Sequence, residues 1–234
     1  MNLLDILFPK RCVNCKKAGD YVCQNCFIYI SFDTKSLCLI CNRPSFNSLT
    51  HPVCKRKYSI DGCFSAISYN KIAKKLISNF KYKPYLTDLK IFLSELFVES
   101  IIQNENFMAQ VSNPSASSGW VFVPVPLFSS KLRKRGYNQS EILAKALSKK
   151  FNFQSQNILE RIKDTKNQFK LLKHEREENM KDAFILKARV GPLSQHNIFL
   201  VDDIVTTGST LKEAAKILKR NGANKVFGLT LARD

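Results

Sequence analysis

The stretch that decides the fold is Phe-Leu-Val-Asp-Asp-Ile-Val-Thr-Thr-Gly-Ser-Thr-Leu, residues 199–211. The apolar, partly β-branched run from Asn197 to Val201 predicts a short buried strand. From Leu211 onward the apolar residues recur at helical spacing, which predicts a helix directly after the turn. Strands that alternate with helices in this way build a mainly parallel α/β sheet.

Between this strand and this helix lie two carboxylates, a glycine and four hydroxyl residues. Glycine lets the backbone approach a ligand closely, and the N–H groups at a helix N-terminus attract phosphate. Asp202 and Asp203 suit sugar hydroxyls or a metal-bound ligand, so a sugar and a phosphate fit the turn together. An ordinary strand-to-helix turn with polar caps is the alternative. Neither GxxxxGK[ST] nor GxGxxG occurs in the chain, which argues against other common phosphate loops.

A second turn with anion-binding chemistry lies earlier in the chain. An apolar strand from Trp120 to Val123 is followed by a basic run at residues 131–135, then by Gly136 and a helix. Basic residues, a glycine and a capped helix start favour an anion site, with an ordinary basic loop as the alternative. The side chains expected to face inward from this helix are Ile142, Leu143, Ala146 and Leu147.

The sequence carries the motifs of a known family. Residues 199–211 resemble the 5-phosphoribosyl-1-pyrophosphate (PRPP) motif of the type I phosphoribosyltransferases. Over essentially the whole chain, cysteines included, the sequence is similar to the ComF family, whose members include competence proteins. The similar positions are Lys81-Tyr82, Pro124 to Pro126 (Pro-Val-Pro), Arg135 to Gln139 (Arg-Gly-Tyr-Asn-Gln), Arg161, Thr165, Gln168, Arg176, Asn179, Phe184 and Leu231-Ala232-Arg233.

This resemblance implies a fold and a division of the chain. The expected fold class is α/β, with a type I phosphoribosyltransferase-like, mainly parallel sheet flanked by helices and a small N-terminal zinc-ribbon module. We expect the cysteine-rich module at residues 1–60 and the phosphoribosyltransferase-like domain at residues 61–234.

The resemblance also implies a binding site for PRPP with magnesium. In the family, two acids hold the ribose hydroxyls and the Thr/Gly/Ser loop cradles the 5′-phosphate. If the protein is catalytic, Asp202 and Asp203 stabilise positive charge on the ribose ring, and arginines offset charge on the departing pyrophosphate. Carried over, the PRPP-binding residues are Asp202, Asp203, Thr206, Thr207, Gly208, Ser209, Thr210, Arg133, Arg135, Gly136 and Arg176.

Six of the eight cysteines form Cys-x-x-Cys pairs, which is typical of structural zinc sites. The predicted zinc ligands are Cys12, Cys15, Cys23 and Cys26. Disulfides or a thioredoxin-like redox pair are weaker alternatives, because a cytoplasmic chain disfavours disulfides and no βαβ pattern surrounds the cysteines. With so few large apolar residues, the module is expected to need the ion in order to fold.

A second zinc site is less well supported by the spacing. Cys38, Cys41 and Cys54 supply three ligands, but Lys57 stands where a paired cysteine belongs. His51 or Cys63 could take its place, although Cys63 reads better as a buried strand residue. A crossed pairing of the first and third Cys-x-x-Cys pairs stays open as well.

The charge of the chain bears on its partners and its location. Lys and Arg total 37 against 19 Asp and Glu, a net charge of +18, which favours polyanions such as nucleic acid or merely solvates the surface. No apolar run approaches bilayer length, so we expect no membrane insertion. The opening residues 1–8 are too short and too weakly basic for a secretory signal, so a cytoplasmic location is expected.

Two irregular segments complete the prediction. Residues 108–119 lose periodicity and collect Ser, Asn and Pro, which predicts a surface loop. Residues 159–179 carry many charges and are expected between two strands, either as a solvated helix or, by resemblance, as the mobile loop that closes over the pyrophosphate.

Two functions therefore compete. In the first, a PRPP-binding ComF-type protein takes part in DNA uptake and natural transformation, and engages single-stranded DNA and a competence helicase. In the second, it is an active phosphoribosyltransferase that transfers phosphoribose to an unidentified nitrogen acceptor. The aromatic residues beside basic ones are candidates for base stacking, although most are expected in the core: Tyr21, Phe27, Phe46, Tyr58 and Tyr82.

Overall fold

A computed structural model of the chain describes residues 10–83, 85–112, 119–165, 173–188, 190–191, 193–194 and 196–234. Its central sheet has five parallel strands in the order β1 (Gly62–Ser68), β7 (Lys225–Arg233), β6 (Asn197–Val205), β2 (Trp120–Pro124) and β3 (Gln154–Ser155). A separate antiparallel pair joins β4 (Leu159–Arg161) to β5 (Phe184–Leu186). The predicted α/β fold with a mainly parallel sheet is confirmed.

The helices of the described residues lie between these strands. They are α1 (Gln24–Phe27), α2 (Lys71–Tyr82), α3 (Thr87–Ile102), α4 (Glu105–Val111), α5 (Ser129–Arg135), α6 (Gln139–Phe151), α7 (Lys173–Met180) and α8 (Ser209–Arg220), with single 3₁₀ turns at Phe46–Ser48 and Pro52–Cys54. Asparagine side chains cap three of the starts and so satisfy N–H groups that a helix leaves unpaired: Asn70 before α2, Asn104 before α4 and Asn138 before α6.

The sheet is buried on both faces, as a parallel sheet requires. On one face Phe199 packs against Trp120, with ring centroids 4.1 Å apart, beneath α2, α3, α4 and α6. On the other face Ile198 and Leu200 pack with the apolar side of α8. Alternate residues of one strand thus serve two cores, and the carboxyl ends of the strands meet at one edge.

The cysteine module lies against the sheet and α2. The backbone N–H of Ser68 donates to Ser31 (2.8 Å), and the Asn70 side chain donates to the Tyr29 carbonyl (2.5 Å). At the expected boundary, the N–H of Thr50 donates to Asp61 (2.8 Å). The division at residue 60 stays a prediction, and hydrogen bonds cross it.

Three of the predicted elements differ from the structure. Strand β6 continues past Val201 to Val205, because Asp202 and Ile204 remain paired with β7. The segment predicted as a loop from residue 108 begins inside α4, which Asn104 caps, while residues 113–118 lie outside the described part. The basic run at residues 131–135 forms helix α5 instead of a turn.

Helix α6 faces the core with fewer residues than its pattern predicts. Leu143 and Leu147 are fully buried, as expected. Ile142 and Ala146 are only half-buried, since they border a groove beside α3. The charged segment at residues 159–179 itself begins with β4, and only its remainder lies between two strands in the chain, with β5 following α7.

Candidate functional site

A cavity of about 550 Å³ opens at the carboxyl ends of β2 and β6. Of the residues predicted to bind PRPP, five line it: Asp202, Asp203, Thr206, Thr210 and Arg135. Parallel strands end at a common edge, which is where ligands bind in open α/β sheets. The structure therefore brings the two predicted anion-binding turns to one cavity.

The remaining predicted site residues, so far as the structure describes them, are not among those that line the cavity. Thr207, Gly208 and Ser209 form the turn itself, and Gly136 ends α5 with a φ of 77°. Arg133 is exposed on α5 and does not line the cavity. The side chain of Arg176 lies outside the described residues.

The acid pair forms the floor of the cavity. Asp202 accepts hydrogen bonds from the Ser140 hydroxyl (3.0 Å) and from the backbone N–H of Asp203 (2.9 Å). Burial, and next the negative charge of Asp203, raises the pKa of Asp202 to about 7, against the opposing effect of Lys81. At neutral pH the Asp202 carboxyl is therefore partly protonated.

Lys81, near the end of α2, supplies the positive charge at this floor. Its ammonium lies 2.9 Å from the Asp203 carboxylate, and the Asp203 side chain is only 8% exposed. Burial is the largest single effect on Lys81 and lowers its pKa, but the charge and hydrogen bond of Asp203, together with the charge of Asp202, outweigh burial and hold that pKa above its ordinary value. Sequence reasoning noted Lys81 only as a matching position, because nothing local shows that α2 ends beside β6.

The turn that is predicted to bind phosphate lies at the start of α8. Gly208 adopts a left-handed φ of 72°, and its carbonyl accepts from the N–H of Lys212 (2.8 Å). The hydroxyls of Thr207 and Ser209 lie 2.8 Å apart. The first N–H groups of a helix have no partner within the helix, and the positive end of its dipole faces the same side. This start of α8 suits an anion.

Basic side chains surround the acid floor. Arg135 donates to the Gln139 amide oxygen (3.0 Å), and its guanidinium lies 5.3 Å from the centre of the Tyr82 ring. Lys131 donates to the carbonyl of Thr165 (2.6 Å) and pairs with Asp164 (3.3 Å). This wall has the charge to suit a second anion, away from the turn of α8.

Arg161 extends the basic wall from β4. Its guanidinium donates to the Thr165 hydroxyl, while its buried Nε has no partner among the described residues. Burial lowers the pKa of Arg161, although Asp202 and Asp164 oppose the shift. Sequence reasoning noted Arg161 and Thr165 only as family positions and assigned no role to Lys131.

Two clusters of metal-binding side chains lie in the cysteine module. Within each cluster the ligand atoms lie within 4.8 Å of one another. The first is the predicted set, and the second adds a histidine to the three doubtful cysteines, so the described residues do not have the crossed pairing. The members are Cys12, Cys15, Cys23 and Cys26, and Cys38, Cys41, His51 and Cys54.

His51 is the fourth possible ligand of the second cluster, in place of the cysteine that the spacing rule expects at Lys57. A 3₁₀ turn follows His51, and the N–H of Cys54 donates to the His51 carbonyl (2.9 Å). His-x-x-Cys therefore replaces Cys-x-x-Cys, and Cys54 is the second ligand of its pair, not a first ligand awaiting Lys57. The ring Nε2 lies 2.9 Å from the Pro44 carbonyl and Nδ1 lies 3.3 Å from the Cys41 sulfur. A proton on Nε2 leaves the Nδ1 lone pair for a metal.

Backbone hydrogen bonds favour the thiolate form of one cysteine in each cluster. Burial raises the pKa of Cys12, but the backbone N–H groups of Cys15, Cys23 and Asn14 outweigh it and lower that pKa to about 6. Burial also raises the pKa of Cys38, but the backbone N–H groups of Cys41, His51 and Ile40 outweigh burial and lower that pKa to about 7. Thiolates and one neutral imidazole are the donors that zinc prefers, so both sets fit that ion.

The aromatic residues proposed for base stacking are less buried than expected. Phe27, Phe46 and Tyr82 are exposed, while Tyr21 and Tyr58 are half-buried. Of these five, Tyr82 lines the cavity. Among the described residues, no helix combines the length and the apolar character needed to cross a bilayer.

Comparison with known proteins identifies two domains. Residues 3–57 match a double zinc ribbon domain, and residues 137–233 match a phosphoribosyl transferase domain. Competence protein ComFC of Bacillus subtilis is 28% identical over 229 residues, which cover 93% of this chain and 86% of that protein.

Two further relatives are similar over a shorter region. Competence protein F of Haemophilus influenzae is 38% identical over 112 residues, 47% of this chain and 49% of that protein. DNA utilization protein YhgH of Escherichia coli is 39% identical over 112 residues, 47% of this chain and 48% of that protein. The matched part of the chain spans about half the length of these two relatives. The chain is thus a homologue of the ComF/ComFC competence proteins that joins a double zinc ribbon domain to a phosphoribosyltransferase domain.

Proposed function

We propose that the protein binds PRPP in the cavity at the end of β6 and acts in the handling of DNA during competence. The observation that carries the proposal is that an acid pair, a helix start and a basic wall meet in one cavity of about 550 Å³. This volume is in the usual range for small-ligand sites, roughly 300–1,000 Å³. A ligand that fits this cavity needs hydroxyls that donate to the acid pair. It also needs two separated anionic groups, one for the start of α8 and one for the basic wall.

PRPP has this distribution of groups. The ribose hydroxyls would donate to Asp202 and Asp203, and the 5′-phosphate would lie on the turn that holds Thr206 and Thr210. The pyrophosphate would then face Arg135 and its basic neighbours. The carboxylates offer the oxygen donors that magnesium prefers, so they fit a magnesium ion that would accompany PRPP and neutralise part of its charge.

Two arginines of α5 provide a matched test. Arg135 lines the cavity, whereas Arg133 is exposed two residues away and does not. Calorimetry with PRPP and magnesium should show that Arg135→Ala weakens binding about tenfold to a hundredfold, since a hydrogen bond to a charged group contributes roughly 1.5–3 kcal/mol. Arg133→Ala should bind within about threefold of the unaltered protein. Equal losses in both variants, or no binding in the unaltered protein, would contradict the proposed site.

We also propose that the protein binds single-stranded DNA. The net charge of +18 supports this, as do the names of its relatives, which refer to competence and DNA utilization. Tyr82 adds an exposed ring beside Arg135 at the cavity, and aromatic rings next to cations are stacking platforms for bases. A competence helicase as a partner remains a proposal that follows from the family alone.

Two tyrosines allow a controlled test of DNA binding. Tyr82 and Tyr29 are both 59% exposed, but Tyr29 lies at the other end of α2, near Asn70. In fluorescence anisotropy with an oligothymidylate, Tyr82→Ala should weaken binding about tenfold, because base stacking contributes roughly 1–3 kcal/mol. Tyr29→Ala should change it little, and affinity should fall steeply with salt. Equal effects of the two substitutions would place the DNA elsewhere.

An active phosphoribosyltransferase is the second candidate. The observation that favours it is the match of residues 137–233 to a phosphoribosyl transferase domain, which includes the acid pair at the end of β6. Pyrophosphate release from PRPP in the presence of nucleobases or other nitrogen acceptors would support this candidate. Binding of PRPP without any release would favour the first.

We propose that both clusters of the double zinc ribbon hold structural zinc. Each offers four donors of the zinc-binding type, within 4.8 Å of one another. Elemental analysis of the purified protein should find two zinc ions per chain, one for each cluster. Replacing His51 with alanine should lower the zinc content by about one ion, and an unchanged content would show that His51 is not a ligand.

A further inference from the structure

One residue of the second zinc knuckle lies directly behind the phosphate-binding turn. Leu39, between Cys38 and Cys41, is fully buried in the same apolar cluster as Val205 at the end of β6 and Leu211 in α8, which flank the turn. A Cβ atom placed on Gly208 would lie 2.5 Å from both Cγ and Cδ1 of Leu39. The Leu39 side chain therefore closes the back of the turn in van der Waals contact with the glycine.

The position of Leu39 depends on the knuckle that carries it. The N–H of Asn42 donates to the Cys38 carbonyl (2.8 Å), and the N–H of Cys38 donates to Arg43 (2.9 Å). These short-range bonds form a tight loop around the two thiols, with a left-handed φ of 59° at Asn42. Four ligands converging on one ion would lock the loop, because the ion links it to His51 and Cys54.

The second half of the ribbon is also joined to the strands that carry the site. Thr50 donates through its hydroxyl to the Ile60 carbonyl (2.6 Å), and Leu49 forms a bridge with Gly62 at the start of β1. Arg233, in the strand next to the acid pair, donates to the Leu37 carbonyl (3.4 Å). The second half of the ribbon thus contacts β1 and β7 of the sheet, while Leu39 of the knuckle contacts the turn.

The first cluster makes different contacts. Its segment packs on α3, where Lys10 pairs with Asp88 (2.8 Å) and the rings of Tyr21 and Phe92 lie 6.5 Å apart. Cys12 belongs to the core under α2 and α3, on the face of the sheet opposite Leu39. The two metal sites therefore support different parts of the protein.

We propose that metal in the second cluster, but not in the first, holds the phosphate-binding turn in its binding shape by pressing Leu39 against Gly208. The zinc ribbon is then part of the ligand site, and Leu39 is a positioning residue that touches no ligand. The effect on PRPP rests on the proposed function, whereas the effect on the turn itself does not.

Paired cysteine variants separate the two sites. Cys38→Ser with Cys41→Ser should speed amide hydrogen exchange at residues 206–212 and weaken PRPP binding at least about tenfold. Cys12→Ser with Cys15→Ser should leave exchange at the turn within about twofold, although it removes one metal ion. Exchange at the turn that responds equally to both variants would overturn the proposal.

The Leu39→Ala variant is the control for a general folding defect of the cysteine variants. It should retain the zinc content of the unaltered protein and still speed exchange at residues 206–212, because the turn loses its backing. Unchanged exchange in this variant would also overturn the proposal. If the unaltered protein binds no PRPP, the proposed function fails, while the exchange measurements still decide the role of Leu39.

Discussion

Replacing Asp202 with asparagine is expected to weaken PRPP binding while it stabilises the ligand-free protein at neutral and higher pH. Binding should fall about tenfold to a hundredfold, because the amide keeps one neutral acceptor oxygen and puts an N–H donor in place of the second charged oxygen that would accept from a sugar hydroxyl. The ligand-free protein gains because the substitution removes a buried charge beside Asp203. The salt bridge between Lys81 and Asp203 (2.9 Å) stays in place.

The pH dependence of this stabilisation has a definite sign. The pKa of Asp202 is about 7 in the folded protein and near its ordinary value of 3.8 in the unfolded chain. Between these values the folded state holds a proton that the unfolded state has lost, so rising pH lowers the free energy of unfolding. The asparagine side chain that replaces Asp202 does not titrate. The advantage of the variant should therefore grow from about pH 4 to about pH 7 and then level off.

The size of the effect should be on the order of 1–3 kcal/mol, since part of Asp202 remains in contact with solvent. Thermal melts across this pH range measure it. The control is Asp203→Asn, which should destabilise the protein, because Lys81, 21% exposed, loses its partner. A variant of Asp202 that is less stable than the unaltered protein at every pH would contradict the picture of a strained acid pair.

Replacing Gly208 with alanine is expected to cost about 2–5 kcal/mol of folding free energy and to abolish PRPP binding. Two physical effects add. A left-handed φ of 72° costs a residue with a Cβ roughly 1–2 kcal/mol, and overpacking a filled core costs roughly 1–3 kcal/mol. The overpacking arises because the new methyl would lie 2.5 Å from Leu39. Denaturant unfolding and calorimetry measure the two losses.

Gly136 provides the matched control. Its φ of 77° is close to that of Gly208, but a Cβ there would meet nothing within 4 Å. Gly136→Ala should therefore cost only the backbone part, about 1–2 kcal/mol. When Leu39→Ala is combined with Gly208→Ala, it should relieve much of the clash with the new methyl group. The coupling energy between the two positions then gives the strength of the contact. Equal losses at the two glycines would show that Leu39 yields without cost.

The tertiary structure changed the predicted site most where distant segments meet. Lys81 on α2 and Arg161 on β4 reach the acid pair from segments that lie far apart in the chain. No local periodicity reports such an approach, because it depends on how helices cross the sheet. Arg133 shows the reverse case. It lies in the same basic run as Arg135, but α5 exposes its side chain to solvent, away from the cavity.

The second metal cluster shows a different limit of prediction. The spacing rule looked for a cysteine after Cys54, at Lys57, whereas the partner precedes it. His51 and Cys63 both remain open as the fourth ligand on sequence grounds, because a template of two-residue gaps between cysteines singles out neither. Only the 3₁₀ turn at Pro52–Cys54 and the hydrogen bond of the ring to Pro44 show that His51 supplies the fourth donor.

The sequence by itself determined the α/β fold, the turn that carries the acids and the Cys-x-x-Cys pairs that supply zinc ligands, although it left open which pairs share an ion. These features are local, because side-chain periodicity and ligand spacing act over a few neighbouring residues. The tertiary structure alone decided that Lys81 neutralises the acid floor, that His51 completes the second cluster and that Leu39 backs Gly208. Each of these contacts joins segments that only the packing of helices and ribbon against the sheet brings together.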